Sequence, residues 1–238
     1  MSVYFGRKHI LKTLLVAIFV GLFIRLGIWQ MNRLEWRRGI NAELAAQLSE
    51  PQFLLNEFTK FEQFPDMSDR KVMVQGRFDF DEQIVLRNRN DEVLGPGVHL
   101  VAPFVLEGTD QAVMVDRGWI SSAEHNTNEF DVFNIQLNEI RGVIQQSENP
   151  ARDAVITDVA QRELFRLHIP QLQAQSQYEL LPIYILQTSE GKDLEARPYQ
   201  SAHQVDLSEG SHLSYVVQWF SFAIIFIVGY IVYIRRYG

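Results

Sequence analysis

The sequence predicts a membrane α+β protein: two transmembrane helices flanking a periplasmic antiparallel β-rich domain with one or two helices. Three observations carry this. Leu213 to Ile234 is a run of 22 residues without a formal charge. At about 1.5 Å per residue it reaches roughly 33 Å, enough to cross a bilayer core of about 30 Å. Thr13 to Trp29 is a second apolar run, broken only by Arg25. Between them lie all 29 acidic residues, at positions 30–211, with 16 of the 22 Lys and Arg, a balance of −13.

The first run follows Arg7, Lys8 and Lys12, as a signal peptide would, but no small-residue cleavage pattern succeeds Trp29. An uncleaved anchor is expected, with Arg25 snorkelling from its exit end. No Ser- and Arg-rich transit segment precedes it, which points to a bacterial inner membrane. Asp206, Glu209 and His212 flank one end of the second run, and Arg235 and Arg236 the other. Basic flanks stay cytoplasmic, so both termini are expected there. The predicted division is therefore 1–12 cytoplasmic, 13–29 transmembrane, 30–211 periplasmic, 212–234 transmembrane and 235–238 cytoplasmic.

From Trp29 to Leu48 the first helix is expected to continue, because Trp36, Ile40, Leu44 and Leu48 form an apolar stripe. Gln30, Arg33 and Arg37 fall at i, i+3 and i+7 on another face. Like charges at that spacing repel, so the face wants anions. Lipid phosphates, a carboxylate-bearing ligand or an acidic partner would each satisfy it.

Pro51 ends this helix and 51–69 reads as irregular. Strands are expected over 71–80, 83–89, 98–106, 111–120, 137–146 and 181–188, by alternation and β-branched content. Asn90-Asp91 reads as a turn, and Gly95-Pro96-Gly97 as a break before the 98–106/111–120 hairpin. Gly76 and Gly142 mark bulges or close approaches. Residues 159–167 have helical spacing, with Pro170 as the stop, and 190–210 reads as a polar loop. The sum is an α+β domain resembling a partly closed barrel.

Several function classes drop out. An acidic domain argues against a nucleic-acid partner. The chain has no cysteine, which excludes disulfides, thiolate metal sites, cysteine nucleophiles and the paired thiolates of a Cu(I) chaperone. His99, His125, His168 and His203 lack metal-site spacing, and Ser121 and Ser122 lie in no nucleophile elbow. No enzyme is expected.

Two polar clusters stand out. In Asp116-Arg117-Gly118-Trp119, alternation puts Asp116 and Gly118 on one face and Arg117 and Trp119 on the other. Two readings are open: a structural Arg–carboxylate pair beside a core tryptophan, or a partner-docking surface, since Arg and Trp are enriched at hot spots. At the head of the second run, His212, Tyr215, Gln218, Trp219 and Phe222 share an arc of about 120°. They form either an interfacial aromatic belt or a ligand site.

Three segments together resemble the Surfeit-locus cytochrome oxidase assembly factors. The first is Leu26-Gly27-Ile28-Trp29-Gln30-Met31-Asn32-Arg33, similar to the family's Gly-x-Trp-Gln-x-x-Arg pattern. The second runs from Gly95-Pro96-Gly97-Val98-His99 through Pro103 to Val115-Asp116-Arg117-Gly118-Trp119-Ile120, and the third from His212-Leu213 through Gln218-Trp219-Phe220 to Arg235-Arg236. Gly210-Ser211 stands where the family usually has two asparagines.

The resemblance implies an assembly factor for haem-copper oxidases that assists delivery of haem a into subunit I. It implies His212 as the contact to haem iron, with oxidase subunit I and haem a synthase as partners beside the lipid bilayer. Neutral imidazole suits that role, and Tyr215, Trp219 and Phe222 are placed to lie against a porphyrin. Arg33 and Arg37, with Gln30, are expected to meet the propionates, since guanidinium pairs with carboxylate in bidentate fashion. The competing expectation is a scaffold that stabilises an oxidase intermediate without holding haem. A two-span sensor would need an output domain, and a haem-modifying oxygenase would need metal ligands.

Overall fold

The computed structural model describes residues 10–57, 67–91, 94–127, 130–149, 161–189, 197–200 and 205–237. The chain divides into two compact units, one formed by its ends (Met1–Ala46 with Asp206–Gly238) and one by Gln47–Val205.

The central unit is a β-barrel. Five strands form its ring: β2 (Lys71–Phe78), β4 (Gly95–Leu106), β5 (Gln111–Ser121), β6 (Glu139–Gln146) and β8 (Glu179–Gln187). The order runs β2-β6-β8-β5-β4 and returns to β2 through Gly76↔Leu106, Arg77↔Val105 and Phe78↔Phe104. Closure removes the exposed edges of the ring. Three strands lie outside it: β3 (Ile84–Asp91) pairs with β4, β7 (Glu163–Leu164) with β3, and β1 (Phe53–Leu54) with β2.

Beta strands at the barrel's centre are buried on both faces. In β5, Val113 and Val115 point to one core with Phe104, Ile144 and Ile183, whereas Ala112 and Met114 point to another with Ile84, Leu86 and Leu172. That is why residues 112–120 carry no exposed position. Gly76 and Gly142 are close approaches rather than bulges. A Cβ would lie 2.0 Å from the Val105 carbonyl oxygen at Gly76 and 2.3 Å from that of Leu186 at Gly142.

Four sequence expectations are corrected. The sheet is mixed, because β5 and β8 run parallel, as do β1 with β2 and β3 with β7. Period-two alternation is the same in either direction, so it carried no sign of this. The helix expected over 159–167 is absent where described: Glu163–Leu164 is β7, and the helix is α3 (Ile169–Gln173). Pro170 lies in the first turn of α3, where a missing N–H costs nothing, so it opens that helix rather than stopping one. Asn90 and Asp91 lie within β3, opposite Pro96 and Gly95 of β4. Finally, the alternation assumed through Asp116–Trp119 is broken by a β-bulge. Leu100 faces Gly118 while Val101 faces Asp116, leaving Arg117 as the extra residue.

Gly118 makes the bulge possible. Its φ is +120°, and a Cβ would lie 2.4 Å from the Tyr199 carbonyl oxygen. Tyr199 is held there by two backbone bonds: Trp119 N–H donates to its carbonyl at 2.8 Å, and its N–H donates to Trp119 O at 2.7 Å. A short helix comes next, α2 (Ser122–Asn126), with a capping box between Ser121 and Glu124.

In the terminal unit, α1 (Ile10–Ser49) is one helix of 40 residues and α4 (His212–Tyr237) one of 26. Both are long and apolar enough to cross a membrane. Many of their large apolar side chains face outward, among them Leu14, Ile18, Ile224, Ile225 and Val228.

Gly118→Ala is expected to lower the stability of the full-length protein in detergent by more than about 2 kcal/mol, from φ strain and the Tyr199 clash together. Denaturant unfolding followed by tryptophan fluorescence measures it.

Candidate functional site

The two terminal helices pair antiparallel, and their polar contacts fall at opposite ends. At one end Lys12 Nζ donates to the Tyr233 hydroxyl at 2.5 Å, and Thr13 shares a hydrogen bond with Tyr230. At the other end the His212 ring lies 2.9 Å from Gln30, Nδ1 to Oε1. Thr13 and Gln30 lie 17 positions apart, which corresponds to about 26 Å of helix rise. Between the ends the contact is apolar. A Cβ on Gly27 would sit 2.9 Å from the Phe220 ring, so glycine is what lets the helices approach there. Phe23 packs on Trp219, Phe222 and Phe226, with ring centroids at 5.9, 5.7 and 5.2 Å.

The Gln30 contact sets the chemistry of the histidine. With the amide oxygen as acceptor, a neutral ring carries its proton on Nδ1 and its lone pair on Nε2. A lone pair so placed has the chemistry of a base or of a metal ligand. A carbonyl behind the distal nitrogen also orients the ring, as in metal-binding histidines generally.

The lead into α4 is stitched to the same face of α1. Arg38 makes a bidentate pair with Glu209, Nε to Oε1 at 2.8 Å and Nη2 to Oε2 at 2.9 Å. Arg37 Nε donates to Ser208 O at 3.3 Å, and Asn41 Nδ2 to Leu207 O at 2.6 Å. Asp206 accepts from the Ser208 N–H at 2.8 Å. The Arg38 hydrogen bond holds the Glu209 carboxyl below its ordinary value, and the Ser208 backbone N–H does the same for Asp206. Gln30, Arg37, Arg38 and Asn41 thus fix the segment that presents His212.

The sequence-predicted residues separate accordingly. Gln30 and His212 meet directly, and Arg37 binds two turns along α1 from Gln30. Arg33 is exposed and lies over the Trp36 ring at 3.9 Å. Tyr215 is exposed, whereas Trp219 is half-buried against Phe23. Arg38, Asn41 and Glu209 were missed. Their signal was the i, i+7, i+8, i+11 series from Gln30 and an acid three residues before His212.

The second cluster is an interior one. Asp116, Arg117 and Trp119 are 5%, 3% and 5% exposed. Asp116 does not pair with Arg117. Its Oδ2 lies 2.7 Å from His99 Nδ1, and its Oδ1 accepts from Gly118 N–H at 3.1 Å. Trp119 Nε1 donates to Arg89 O at 3.0 Å. Arg117 Nη1 donates to Gln83 Oε1 at 2.5 Å and Asn134 Oδ1 at 3.1 Å, Nη2 donates to Phe133 O, and the guanidinium stacks near Phe78 and Phe80. Burial pushes its pKa down to about 10. These three side chains are therefore interior, not on an exposed face.

Among the described residues no group of three or more His, Asp or Glu gathers as a metal site. The SURF1 family model matches residues 17–224, from within α1 to within α4. The chain belongs to the SURF1 family. A SURF1-like protein of Rickettsia conorii is 30% identical, over 94% of this chain and 91% of its own length. One from Rickettsia felis is 30% identical over 94% and 96%. The cytochrome oxidase assembly protein SHY1 of Saccharomyces cerevisiae is 33% identical over 124 residues, 49% of this chain and 29% of that protein. The stretch matched to the SURF1 family holds Gln30, the Asp116–Trp119 bulge and His212.

Two outcomes test the helix pair. The chain has no cysteine, so a Thr13→Cys/Tyr230→Cys pair gives an unambiguous crosslink, and Gly27→Val is expected to reduce its yield severalfold by pushing Phe220 away. For the lead-in, the depressed Glu209 pKa means that its contribution is present above the ordinary carboxylate range. That contribution is lost as pH falls through the lowered folded value. Carboxyl NMR should find Glu209 titrating below the ordinary glutamate value, and Arg38→Gln should return it toward that value.

Proposed function

We propose that this SURF1-family chain is an assembly factor for haem-copper (cytochrome c type) oxidase that holds haem a on its way into subunit I. Its role in this reading is non-catalytic, and haem a is cargo. A role in oxidase assembly is supported by membership of the SURF1 family and by the likeness to the yeast assembly protein.

One observation carries the haem reading: the His212 Nδ1–Gln30 Oε1 contact at 2.9 Å. It leaves Nε2 as a neutral imidazole donor of the kind that serves as an axial ligand to haem iron. The donor set therefore fits. When bound, haem supplies an iron centre that takes one imidazole nitrogen and two propionates that take cations. Gln30 keeps the proton on Nδ1, and Arg38 and Glu209 fix the backbone that carries the ring. Arg33 and Arg37 are the cations within reach of the propionates along α1.

The membrane placement goes with this reading. Residues 13–29 and 212–234 cross the bacterial inner membrane, both termini are cytoplasmic, and the barrel is periplasmic. Subunit I and haem a synthase are the partners. The excess of Arg235 and Arg236 at one end of α4 supports that orientation.

A scaffold that holds an oxidase intermediate without haem is the second reading. It is favoured by the inward packing of Trp219 on Phe23, which takes from the site an aromatic expected to lie on a porphyrin. Haem content separates the two. Full-length protein purified in mild detergent from cells making haem a is expected to retain haem a, His212→Ala to lose it, and Gln30→Ala to retain less than half. Haem absent from the wild type, or equal in wild type and His212→Ala, would replace the carrier reading with the scaffold.

A further inference from the structure

The barrel unit encloses a cavity of about 490 Å³, lined by the 133–141 segment, residues 187–189 and residues 197–200, with Arg117 in its wall. Its inner surface is largely apolar, from Phe78, Phe133, Ile135 and Leu137. At its rim Ile135 is 61% exposed.

Three guanidiniums line this cavity, and two have carboxylates. Arg141 pairs with Glu139 at 3.3 Å and Arg197 with Glu124 at 3.9 Å. Arg117 has none among the described residues. Its acceptors are the Gln83 and Asn134 amides and the Phe133 carbonyl, all neutral. Those bonds use three of a guanidinium's five N–H groups, which leaves Nε–H and one Nη2–H without an acceptor among the described residues. A cation taken out of water is costly until a counter-charge reaches it. Among the described residues the acid lining the cavity is Glu139, and it pairs with Arg141.

We propose that this cavity receives an acidic side chain, carried on an apolar extended segment of a partner protein, whose carboxylate pairs with Arg117. The uncompensated guanidinium selects a carboxylate, in the bidentate geometry that Arg favours. The apolar walls accept the residues flanking that acid. A small free carboxylate would pair with Arg117 but leave Ile135 uncovered, so the rim selects a polypeptide. This site lies apart from His212, and the fate of the haem reading does not decide it.

The test uses full-length protein in detergent with two synthetic peptides, acetyl-Leu-Phe-Glu-Leu-Leu-amide and its Gln twin, titrated by calorimetry, with octanoate as the small carboxylate. The Glu peptide is expected to bind about tenfold tighter than the Gln peptide, the scale of one charge-assisted bidentate pair. Arg117→Met keeps the side chain's bulk and should erase that preference, with thermal unfolding reporting that the protein still folds. Ile135→Glu alters only the exposed rim and should weaken the Glu peptide severalfold, so it decides if Arg117→Met does not fold. Equal binding of the two peptides by wild type would overturn the proposal. So would an acid preference that survives Arg117→Met, undiminished binding by Ile135→Glu, or octanoate binding where neither peptide does.

Discussion

A guanidinium carried into a protein interior must be solvated by the protein, and Arg117 determines how several parts of the barrel meet. Its side chain draws Gln83, Asn134 and the Phe133 carbonyl to one point and rests near the rings of Phe78 and Phe80. That requires β5 to release one residue from the ladder, and the bulge does so. The release offsets the register on its two sides, so Asp116 meets His99 and Trp119 reaches Arg89. Gly118 then takes a backbone conformation that leaves room for Tyr199. A run of four residues thereby ties β3, β4 and β5 to two loops. The acceptors that meet the guanidinium among the described residues are all neutral, and none brings a counter-charge.

The terminal helices obey a different constraint. Between two lipid-compatible surfaces, apolar burial gives little reason to associate, so close packing and a few polar contacts must do it. The pair has both, in separate places. Gly27 against Phe220 and the rings around Phe23 provide fit through the middle, and polar contacts sit at the two ends. His212 is half-buried where α4 begins, and its ring answers to a residue on the other helix. Because the lead into α4 is held by Arg37, Arg38 and Asn41, that ring is presented on a braced backbone rather than on a free turn. A ring held this way has little conformational freedom left to lose.

Much of this was legible in the chain. The charge-free run after His212 and the apolar run before Gln30 appear as the long helices α4 and α1, because length and hydropathy are local properties. The six longer strands were visible from alternation within a few residues at each end, whereas the two-residue β1 and β7 were not, and a partly closed barrel was expected where the ring closes through β2 and β4. Gln30 and His212 were both singled out, although nothing in the sequence joins positions 182 residues apart. The Arg38–Glu209 pair escaped notice because salt-bridge spacing is readable within one helix and not between a helix and a distant loop. The shared face read for Arg117 and Trp119 rested on unbroken alternation, and a single extra residue breaks it.

The sequence by itself determined the properties set by neighbouring residues: two apolar helices, a β-rich acidic segment between them, no thiol chemistry, and membership of a family through motifs in fixed order. The tertiary structure alone decided which strands run parallel, where the ladder slips, and which side chain meets His212. Each of those depends on a partner far away along the chain. Strand direction and bulge position are fixed by hydrogen bonds between distant segments, which local sequence does not encode.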